Sequence, residues 1–265
     1  MNSIESLAQR IHSDGFVVLS NERYQVAKSL VTLVRTQVLT LYEEYLTKAN
    51  TQQLDLKRRD HAERLPGFYV REGGRIDMQL QSFSFQTHVV ETINSVDRYL
   101  LNNMLATWES ILTELFAPNS FQLEYIGCVL SRPGDGDQNW HLDGVHRNQS
   151  VQEPVNRLNV FVPLVAITDQ TGGTEMKIRS HLHDHGARGT AFEDYKDLPS
   201  VTACVEAGTP IIMDYRVWHR GLANTSENTV RPLLYFKYSR MTASLVIKTP
   251  ATCTKKRKRI IPMVV

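Results

Sequence analysis

The chain has only three cysteines, and their positions argue against two common roles for this residue. Cys128, Cys204 and Cys253 are scattered, and no Cys-x-x-Cys pair occurs. Small disulfide-stabilised proteins and structural zinc sites use more cysteines or place them at short spacings. Neither a disulfide framework nor a zinc knuckle is therefore predicted, and a reducing compartment fits this cysteine usage.

Long apolar segments and a strong charge excess are also missing. No run of about 18 apolar residues occurs, and residues 1–6 lack the basic and apolar regions of a signal peptide. We therefore expect a soluble, cytoplasmic protein without membrane contact. The formal net charge is +2, and Lys255–Arg259 alone carries five positive charges, which leaves about −3 on the rest of the chain. This balance gives no strong evidence for a nucleic-acid partner.

The 265 residues, of which 42% are hydrophobic, are enough for one sizeable core. Val26 to Ala49 has apolar residues at close to helical spacing, and Val89 to Phe116 fits an amphipathic helix or helix pair. From Phe121 onward, short β-like runs alternate with turn residues. These runs are Gln122 to Ser131, Arg157 to Ala166, Val201 to Glu206, Pro210 to Tyr215 and Leu233 to Ser239. The pattern predicts a mostly β protein with flanking α-helices, built as a double-stranded β-helix, the jelly-roll barrel of cupin-like proteins.

The same pattern predicts the domain organisation. We expect a single domain over residues 1–240, with helical support over about 1–118 and the jelly-roll core over about 119–240. Residues 241–265 would form a C-terminal extension with a basic tail. The polar region 50–85, which includes Glu72-Gly73-Gly74-Arg75-Ile76-Asp77, is interpreted as an irregular lid or substrate-binding segment. A solvated surface loop is an equally good interpretation.

The pattern with the most chemical content is His141-Leu142-Asp143, because residues one apart on a strand point to the same face. His219 lies far downstream, and Arg231 follows it by twelve residues. Two histidines and one carboxylate leave metal positions open for a co-substrate and dioxygen, which suits a non-haem Fe(II) oxygenase. Arg231 would bind a carboxylate of the co-substrate. A single His-x-Asp is weak evidence, since it arises by chance in many proteins.

Several segments, in this order, resemble the phytanoyl-CoA dioxygenase (PhyH-like) family of 2-oxoglutarate oxygenases. They are Asp14-Gly15-Phe16-Val17-Val18, Asn139-Trp140-His141-Leu142-Asp143, Gly172-Gly173-Thr174-Glu175 with Ser180-His181, Asp214 to His219, and Arg231. The resemblance extends to about Arg240. It implies that His141, Asp143 and His219 bind iron and that Arg231 pairs with the distal carboxylate of 2-oxoglutarate. It also implies that Asn139 and Thr174 touch this co-substrate.

The resemblance further implies a reaction. An oxidoreductase of this kind uses Fe(II), 2-oxoglutarate and O2, releases succinate and CO2, and hydroxylates a small organic molecule, either lipid-derived or a specialised metabolite. Desaturation, epoxidation or ring formation would use the same oxidant. Asp143 argues against halogenation, because halogenating relatives have a small residue at that position.

Two alternatives to a small-molecule oxygenase stay open. Lys255–Arg259 resembles a monopartite nuclear localisation signal, so the protein could be a nuclear oxygenase with a protein or nucleic-acid substrate. A catalytically inert jelly-roll binding protein is the second alternative, since a fold alone does not prove a function. The sequence predicts neither the oligomeric state nor the identity of the substrate.

One segment departs from the family pattern. The usual Pro-Gly-Ser-His is here Ile178-Arg179-Ser180-His181. If the glycine position needs a positive φ, an arginine side chain there costs about 1 kcal/mol or more. We therefore expect a local rearrangement of this turn. His146, three residues after Asp143, is not expected to be a metal ligand.

Overall fold

Two antiparallel sheets and a layer of helices make up the protein. The structure is a computed structural model, and it describes residues 3–56, 58–62, 64–84, 89–92, 98–145, 153–183 and 195–241. The helices are Ile4–Asp14 (α1), Lys28–Thr51 (α2), Arg59–Ala62 (α3), Arg98–Leu105 (α4) and Glu109–Phe116 (α5). The strands are Phe16–Val18 (β1), Phe68–Val70 (β2), Ile76–Ser84 (β3), Val89–Thr92 (β4), Phe121–Ser131 (β5), Arg157–Pro163 (β6), Thr174–Lys177 (β7), Ser200–Ala203 (β8), Ile211–Asp214 (β9), His219–Gly221 (β10) and Arg231–Arg240 (β11).

The strand order is that of a jelly roll. The larger sheet has the order β1-β9-β6-β11-β5-β3-β2, with β4 paired to β3, and the smaller sheet has the order β10-β7-β8. Strands that are distant in sequence are neighbours in both sheets; β1, for example, pairs with β9. The predicted fold class, a mostly β jelly roll with flanking helices, is confirmed.

The two faces of the larger sheet have different chemistry, because successive side chains of a strand point to opposite faces. On β11, Leu234 and Phe236 are fully buried in the hydrophobic core beside the helices. Tyr235 and Lys237, which alternate with them, border a cavity on the other face. Alternate side chains of β11 therefore face the hydrophobic core and the cavity.

The helices cover the core face of the larger sheet. The Ser3 hydroxyl accepts the Ser6 N–H and caps the start of α1, and Gly15 ends this helix at a φ of 93°. A Cβ on Gly15 would lie 2.4 Å from a methyl carbon of Val217, so only glycine fits this turn. At the other end of the core, the Trp108 indole N–H donates to the Tyr238 hydroxyl at 3.0 Å. None of the helices in the described ranges is long and apolar enough to cross a membrane.

Strands also come from the part of the chain where helical support was expected. Val89–Thr92 is strand β4, so the helical prediction for these residues is wrong. Within region 50–85, Phe68–Val70 and Ile76–Ser84 are strands β2 and β3, and β3 pairs with β5 in the larger sheet, so these residues are not irregular. The predicted role of the region in substrate binding stays a prediction. Polar residues of β3 face the cavity, and this location explains why the segment reads as a loop in sequence.

Arg179 occupies the turn for which a rearrangement was expected, and that expectation is wrong. Its φ of 66° is left-handed. The Arg179 N–H donates to the carbonyl of Asp14 at 2.9 Å, and the Ser180 hydroxyl accepts the Trp218 N–H at 2.9 Å. These contacts hold the turn in the conformation that a glycine would adopt without strain.

Replacing Arg179 with glycine should therefore raise the free energy of unfolding by about 0.5–1 kcal/mol, since glycine reaches a positive φ at no steric cost. Urea unfolding followed by circular dichroism would measure this change. Arg179→Ala keeps a Cβ and is the matched control, for which no gain is expected. Equal stability of the glycine and alanine variants would contradict the prediction.

Candidate active site

Three side chains of the kind that bind metals converge at the cavity. His141, Asp143 and His219 each offer one ligand atom, and these atoms all lie within 4.8 Å of one another. His219 Nε2 lies 3.8 Å from an Asp143 carboxylate oxygen, and the two imidazole centroids are 4.3 Å apart. Ligand atoms at these separations could hold one metal ion, and two histidines with one carboxylate would leave positions open for further ligands, as in a facial site.

Backbone pairing brings the two histidines together. His141 and His219 form an isolated antiparallel bridge, in which each N–H donates to the carbonyl of the other at 3.0 Å. The Asp143 and Gly144 N–H groups both donate to the Tyr215 carbonyl at 3.1 Å. The His141-Leu142-Asp143 segment is thus a bridge followed by a bend, not the regular strand that was predicted. The side chains of His141 and Asp143 still lie close together, because His219 pairs with the backbone of His141 and the Tyr215 carbonyl accepts the N–H of Asp143.

In both imidazoles, the hydrogen bond is made by Nδ1, so Nε2 is available to bind a metal. Nδ1 of His141 lies 2.9 Å from the Asn139 carbonyl, and Nδ1 of His219 lies 2.9 Å from the Val217 carbonyl. A carbonyl can only accept, so each Nδ1 carries the proton and donates it, and each Nε2 keeps its lone pair. This arrangement is the one found where histidines bind metals through Nε2.

The environment of His219 favours its neutral form. Burial lowers the pKa of His219 to about 4, and the nearby Asp143 carboxylate opposes this shift. A neutral imidazole is the form that binds a metal, because protonation would occupy the lone pair. These donor groups fit a divalent cation of the iron type, which accepts imidazole and carboxylate ligands.

Asn159 holds one oxygen of the Asp143 carboxylate. Its Nδ2 donates to Oδ2 of Asp143 at 2.6 Å, and the Asn159 side chain is buried on β6. This hydrogen bond fixes the orientation of a carboxylate that is otherwise partly exposed. Asn159 is therefore a positioning residue that the sequence motifs did not reveal.

Asn159→Ala should weaken the binding of Mn(II), used as a stable substitute for Fe(II), by about 10–100-fold, which is the usual effect of removing a hydrogen bond to a metal ligand. Electron paramagnetic resonance of free Mn(II) measures this affinity. Asn156→Ala changes an asparagine outside the cavity and should bind Mn(II) as the wild type does. An unchanged affinity in Asn159→Ala would show that Asp143 needs no such support.

A buried arginine lies in the same cavity. Arg231 begins β11, is 2% exposed, and donates from Nε to the Thr171 carbonyl at 3.3 Å. Burial lowers the pKa of Arg231 to about 10, and the positive charge of Arg75 adds to this effect. Within the described ranges, no carboxylate forms a salt bridge with Arg231. A buried cation without an acidic partner fits an anionic ligand.

The two remaining residues predicted to touch the co-substrate also border the cavity. Thr174 begins β7 and is nearly buried. The side-chain amide of Asn139 donates to Oε1 of Glu72, and its backbone N–H donates to Oε2, both at 3.1 Å. Glu72 therefore occupies donor groups that Asn139 could offer a ligand. The roles of Thr174 and Asn139 in binding stay predictions.

Strand β3 contributes cavity residues that the motifs missed. Arg75, Asp77 and Gln79 border the cavity, whose volume is about 720 Å³. The nearly buried Asp77 carboxylate accepts from Arg71 Nη2 at 2.6 Å and from the Tyr235 hydroxyl at 3.0 Å. Burial raises the pKa of Asp77, and Arg71 opposes this shift. The alternation of polar residues at 75, 77 and 79 was the available sequence signal. His146 and the basic tail lie outside the described residues.

An antiparallel jelly roll with an open two-histidine, one-aspartate cluster and a buried arginine in one cavity defines the class of non-haem, metal-dependent oxygenases. The model of the family described as phytanoyl-CoA dioxygenase (PhyH) matches residues 11–232. The chain therefore belongs to the phytanoyl-CoA dioxygenase family and is a non-haem oxidoreductase that depends on iron and 2-oxoglutarate. The predicted family, enzyme class and cofactors are confirmed.

Solved structures with a similar fold include three proteins of low sequence identity. The non-haem α-ketoglutarate-dependent carbocyclase SnoK from nogalamycin biosynthesis is 17% identical, with a TM-score of 0.60 over 89% of this chain and 83% of that one. AviO1 from Streptomyces viridochromogenes Tue57 is 17% identical, with a TM-score of 0.58 over 90% and 96%. The epimerase SnoN, in complex with Fe3+, α-ketoglutarate and nogalamycin RO, is 17% identical, with a TM-score of 0.56 over 99% and 96%. At this identity the similarity establishes the fold.

Proposed function

We propose that this protein oxidises a small organic molecule in the cavity, with Fe(II) bound by His141, Asp143 and His219 and with 2-oxoglutarate held by Arg231. The observation that carries the proposal is the placement in one cavity of the His141, Asp143 and His219 cluster and of a buried arginine that forms no salt bridge with any described carboxylate. Iron and 2-oxoglutarate would together supply the oxidation of a C–H bond by dioxygen, with release of succinate and CO2. Hydroxylation is the default outcome.

His141, Asp143 and His219 would together bind the metal. The Nε2 lone pairs of both histidines and one Asp143 oxygen would be its ligands, and the Asp143 carboxylate would cancel one of its two positive charges. The hydrogen bonds to Asn139, Val217 and Asn159 keep all three groups oriented before the metal arrives. This preorganisation leaves the opposite side of the metal open to ligands from the cavity.

Arg231 would fix the orientation in which the co-substrate binds. Its planar guanidinium can donate two parallel hydrogen bonds to a carboxylate, which fixes both position and orientation. Its burial removes competing water and strengthens the attraction. With one end of 2-oxoglutarate at the metal and the other at Arg231, the substrate must occupy the remaining part of the cavity.

The rest of the cavity favours a polar substrate over a long acyl chain. Among its described lining residues, just Val129, Phe161 and Leu233 have hydrocarbon side chains. Besides the proposed iron ligands and Arg231, charged and phenolic groups are more numerous: Arg71, Glu72, Arg75, Asp77, Glu124, Tyr125, Tyr215, Tyr235 and Lys237. An acyl chain would remove water from these groups without replacing their hydrogen bonds, which is costly. Hydroxyl or amine groups would replace them, so we propose a polar metabolite as the substrate class.

The first experiment is an anaerobic titration of the purified protein with Fe(II) and 2-oxoglutarate. We expect the weak visible charge-transfer band of the iron chelate to appear at one equivalent. A folded protein that shows no band would contradict the proposal and would favour an inert binding protein. Succinate formation with polar metabolites and with acyl-CoA esters would then test the substrate class. Cytoplasmic or nuclear location stays a prediction.

A further inference from the structure

A second buried arginine, Arg75, lies in the same row of residues across the strands of the larger sheet as Arg231. Arg231 pairs with Ser131 across β11 and β5. On the other side of β5, Ile76 pairs with Leu130, so Arg75, one residue earlier, lies at the level of Ser131. Residues that face one another in an antiparallel sheet project from the same face. Arg75, Ser131 and Arg231 therefore form a row across three neighbouring chain segments, and both arginines border the cavity.

This row contains polar atoms that have no partner among the described residues. Arg75 is 1% exposed and Ser131 is fully buried. The Nε of Arg75 and the hydroxyl of Ser131 make no hydrogen bond there. Buried donors without acceptors are uncommon in folded proteins and are costly to maintain. Arg75 borders the cavity, so its buried Nε–H points to a ligand there that supplies an acceptor.

The hydrogen bonds of the Arg75 guanidinium go to neutral acceptors. Nη1 donates to the Gly136 carbonyl at 2.7 Å, and Nη2 donates to the Leu222 carbonyl. These contacts fix the guanidinium in place with neutral partners. No described carboxylate forms a salt bridge with Arg75, since Asp135 pairs with Arg132 instead. Two buried cations thus lie at the same end of the cavity, close enough that Arg75 lowers the pKa of Arg231.

We propose that Arg75 is a second binding residue for the distal carboxylate of the co-substrate, so that a pair of arginines selects a dicarboxylate. This inference rests on the proposed function, in which Arg231 holds the same carboxylate. Arg75 contributes its charge and its Nε–H from the β3 side, whereas Arg231 donates from the β11 side. A 2-oxo acid without a distal carboxylate gains nothing from either arginine.

The test compares two ligands in the Mn(II)-loaded, oxygen-free protein by calorimetry. 2-Oxoglutarate carries the distal carboxylate, and 2-oxopentanoate has a methyl group in its place. In Arg75→Gln, the Kd for 2-oxoglutarate should rise about tenfold or more, because a nearby buried charge is lost, while the Kd for 2-oxopentanoate stays within about twofold. Arg75→Lys keeps the charge and should bind 2-oxoglutarate with intermediate affinity.

The matched control is Arg240→Gln, which removes another arginine that donates to backbone carbonyls, those of Val155 and Phe116. Its Kd for 2-oxoglutarate should equal that of the wild type.

A measurement on the wild type covers the case in which Arg75→Gln does not fold. With Zn(II) in place of Fe(II), the Nε–H nuclear magnetic resonance signals of both Arg75 and Arg231 should shift when 2-oxoglutarate is added. Neither signal should respond in the same way to 2-oxopentanoate. Each signal is assigned by its loss in the corresponding Arg-to-Lys variant.

Two results would overturn the inference and leave the proposed function intact. One is an Arg75→Gln protein that binds 2-oxoglutarate as tightly as the wild type. The other is a shift confined to the Arg231 signal. A wild-type protein that shows neither the charge-transfer band nor 2-oxoglutarate binding would instead contradict the proposed function, and the inference would fail with it.

Discussion

His219→Ala should weaken metal binding severely and abolish turnover. His219 is the buried member of the ligand cluster, and its Nε2 is held toward the metal position by the hydrogen bond from Nδ1 to the Val217 carbonyl. Alanine offers no ligand, and the two remaining groups cannot hold the metal firmly. We expect the affinity for Fe(II) to fall at least 100-fold and succinate formation to reach background, as a lost metal ligand has a larger effect than a lost supporting hydrogen bond.

The control for this experiment is His12→Ala, which removes an exposed histidine of α1. It should keep wild-type metal affinity, because the side chain lies outside the cavity. Circular dichroism shows whether His219→Ala is folded, so that lost binding is not confused with lost structure. Wild-type Fe(II) affinity in a folded His219→Ala protein would place the metal elsewhere.

Arg231→Met should have opposite effects on co-substrate binding and on stability. Without the guanidinium, the distal carboxylate of 2-oxoglutarate would be buried without a partner, so its Kd should rise about 10²–10³-fold. Methionine has a similar length and no charge, and the ligand-free protein has no acidic partner for Arg231 among the described residues. Removing a buried charge that forms no salt bridge with a described carboxylate should therefore leave the free energy of unfolding equal or higher.

Calorimetry with 2-oxoglutarate and thermal unfolding of the ligand-free protein measure these two effects. Arg240→Met is the matched control, since Arg240 ends the same strand and binds backbone carbonyls outside the cavity. It should lose stability and keep the affinity for 2-oxoglutarate. If Arg231→Met lost stability and bound 2-oxoglutarate normally, Arg231 would be a structural residue only.

The motifs in the sequence were sufficient for the family and the fold class. Ligand-type residues at 141, 143 and 219 and the arginine at 231 occur in the order found in the family, together with the segments at 14–18 and 172–175, and the short β-like runs after residue 120 match strands of the barrel. Such local patterns are readable because strand periodicity and ligand chemistry both depend on neighbouring residues.

The parts that the sequence did not predict depend on contacts between distant residues. The sequence of β3 resembles a polar loop because its cavity-facing residues, such as Asp77, are polar, and pairing with β2, β4 and β5 makes it a strand. Arg179 adopts a positive φ because Asp14, far away in sequence, accepts its N–H. Local propensity cannot predict the pairing of β3 or the hydrogen bond between Arg179 and Asp14, because both depend on residues that are distant in sequence, and such tertiary interactions override it.

The sequence by itself determined which groups are available: two imidazoles, one carboxylate and one arginine, in the order of the phytanoyl-CoA dioxygenase family. Only the tertiary structure decided how these groups meet. The bridge between His141 and His219 closes a separation of 78 residues, and sheet pairing places Arg75 at the level of Arg231. The physical reason is that hydrogen bonds between strands and burial in a shared cavity act between residues that are adjacent in space, wherever they lie in the chain.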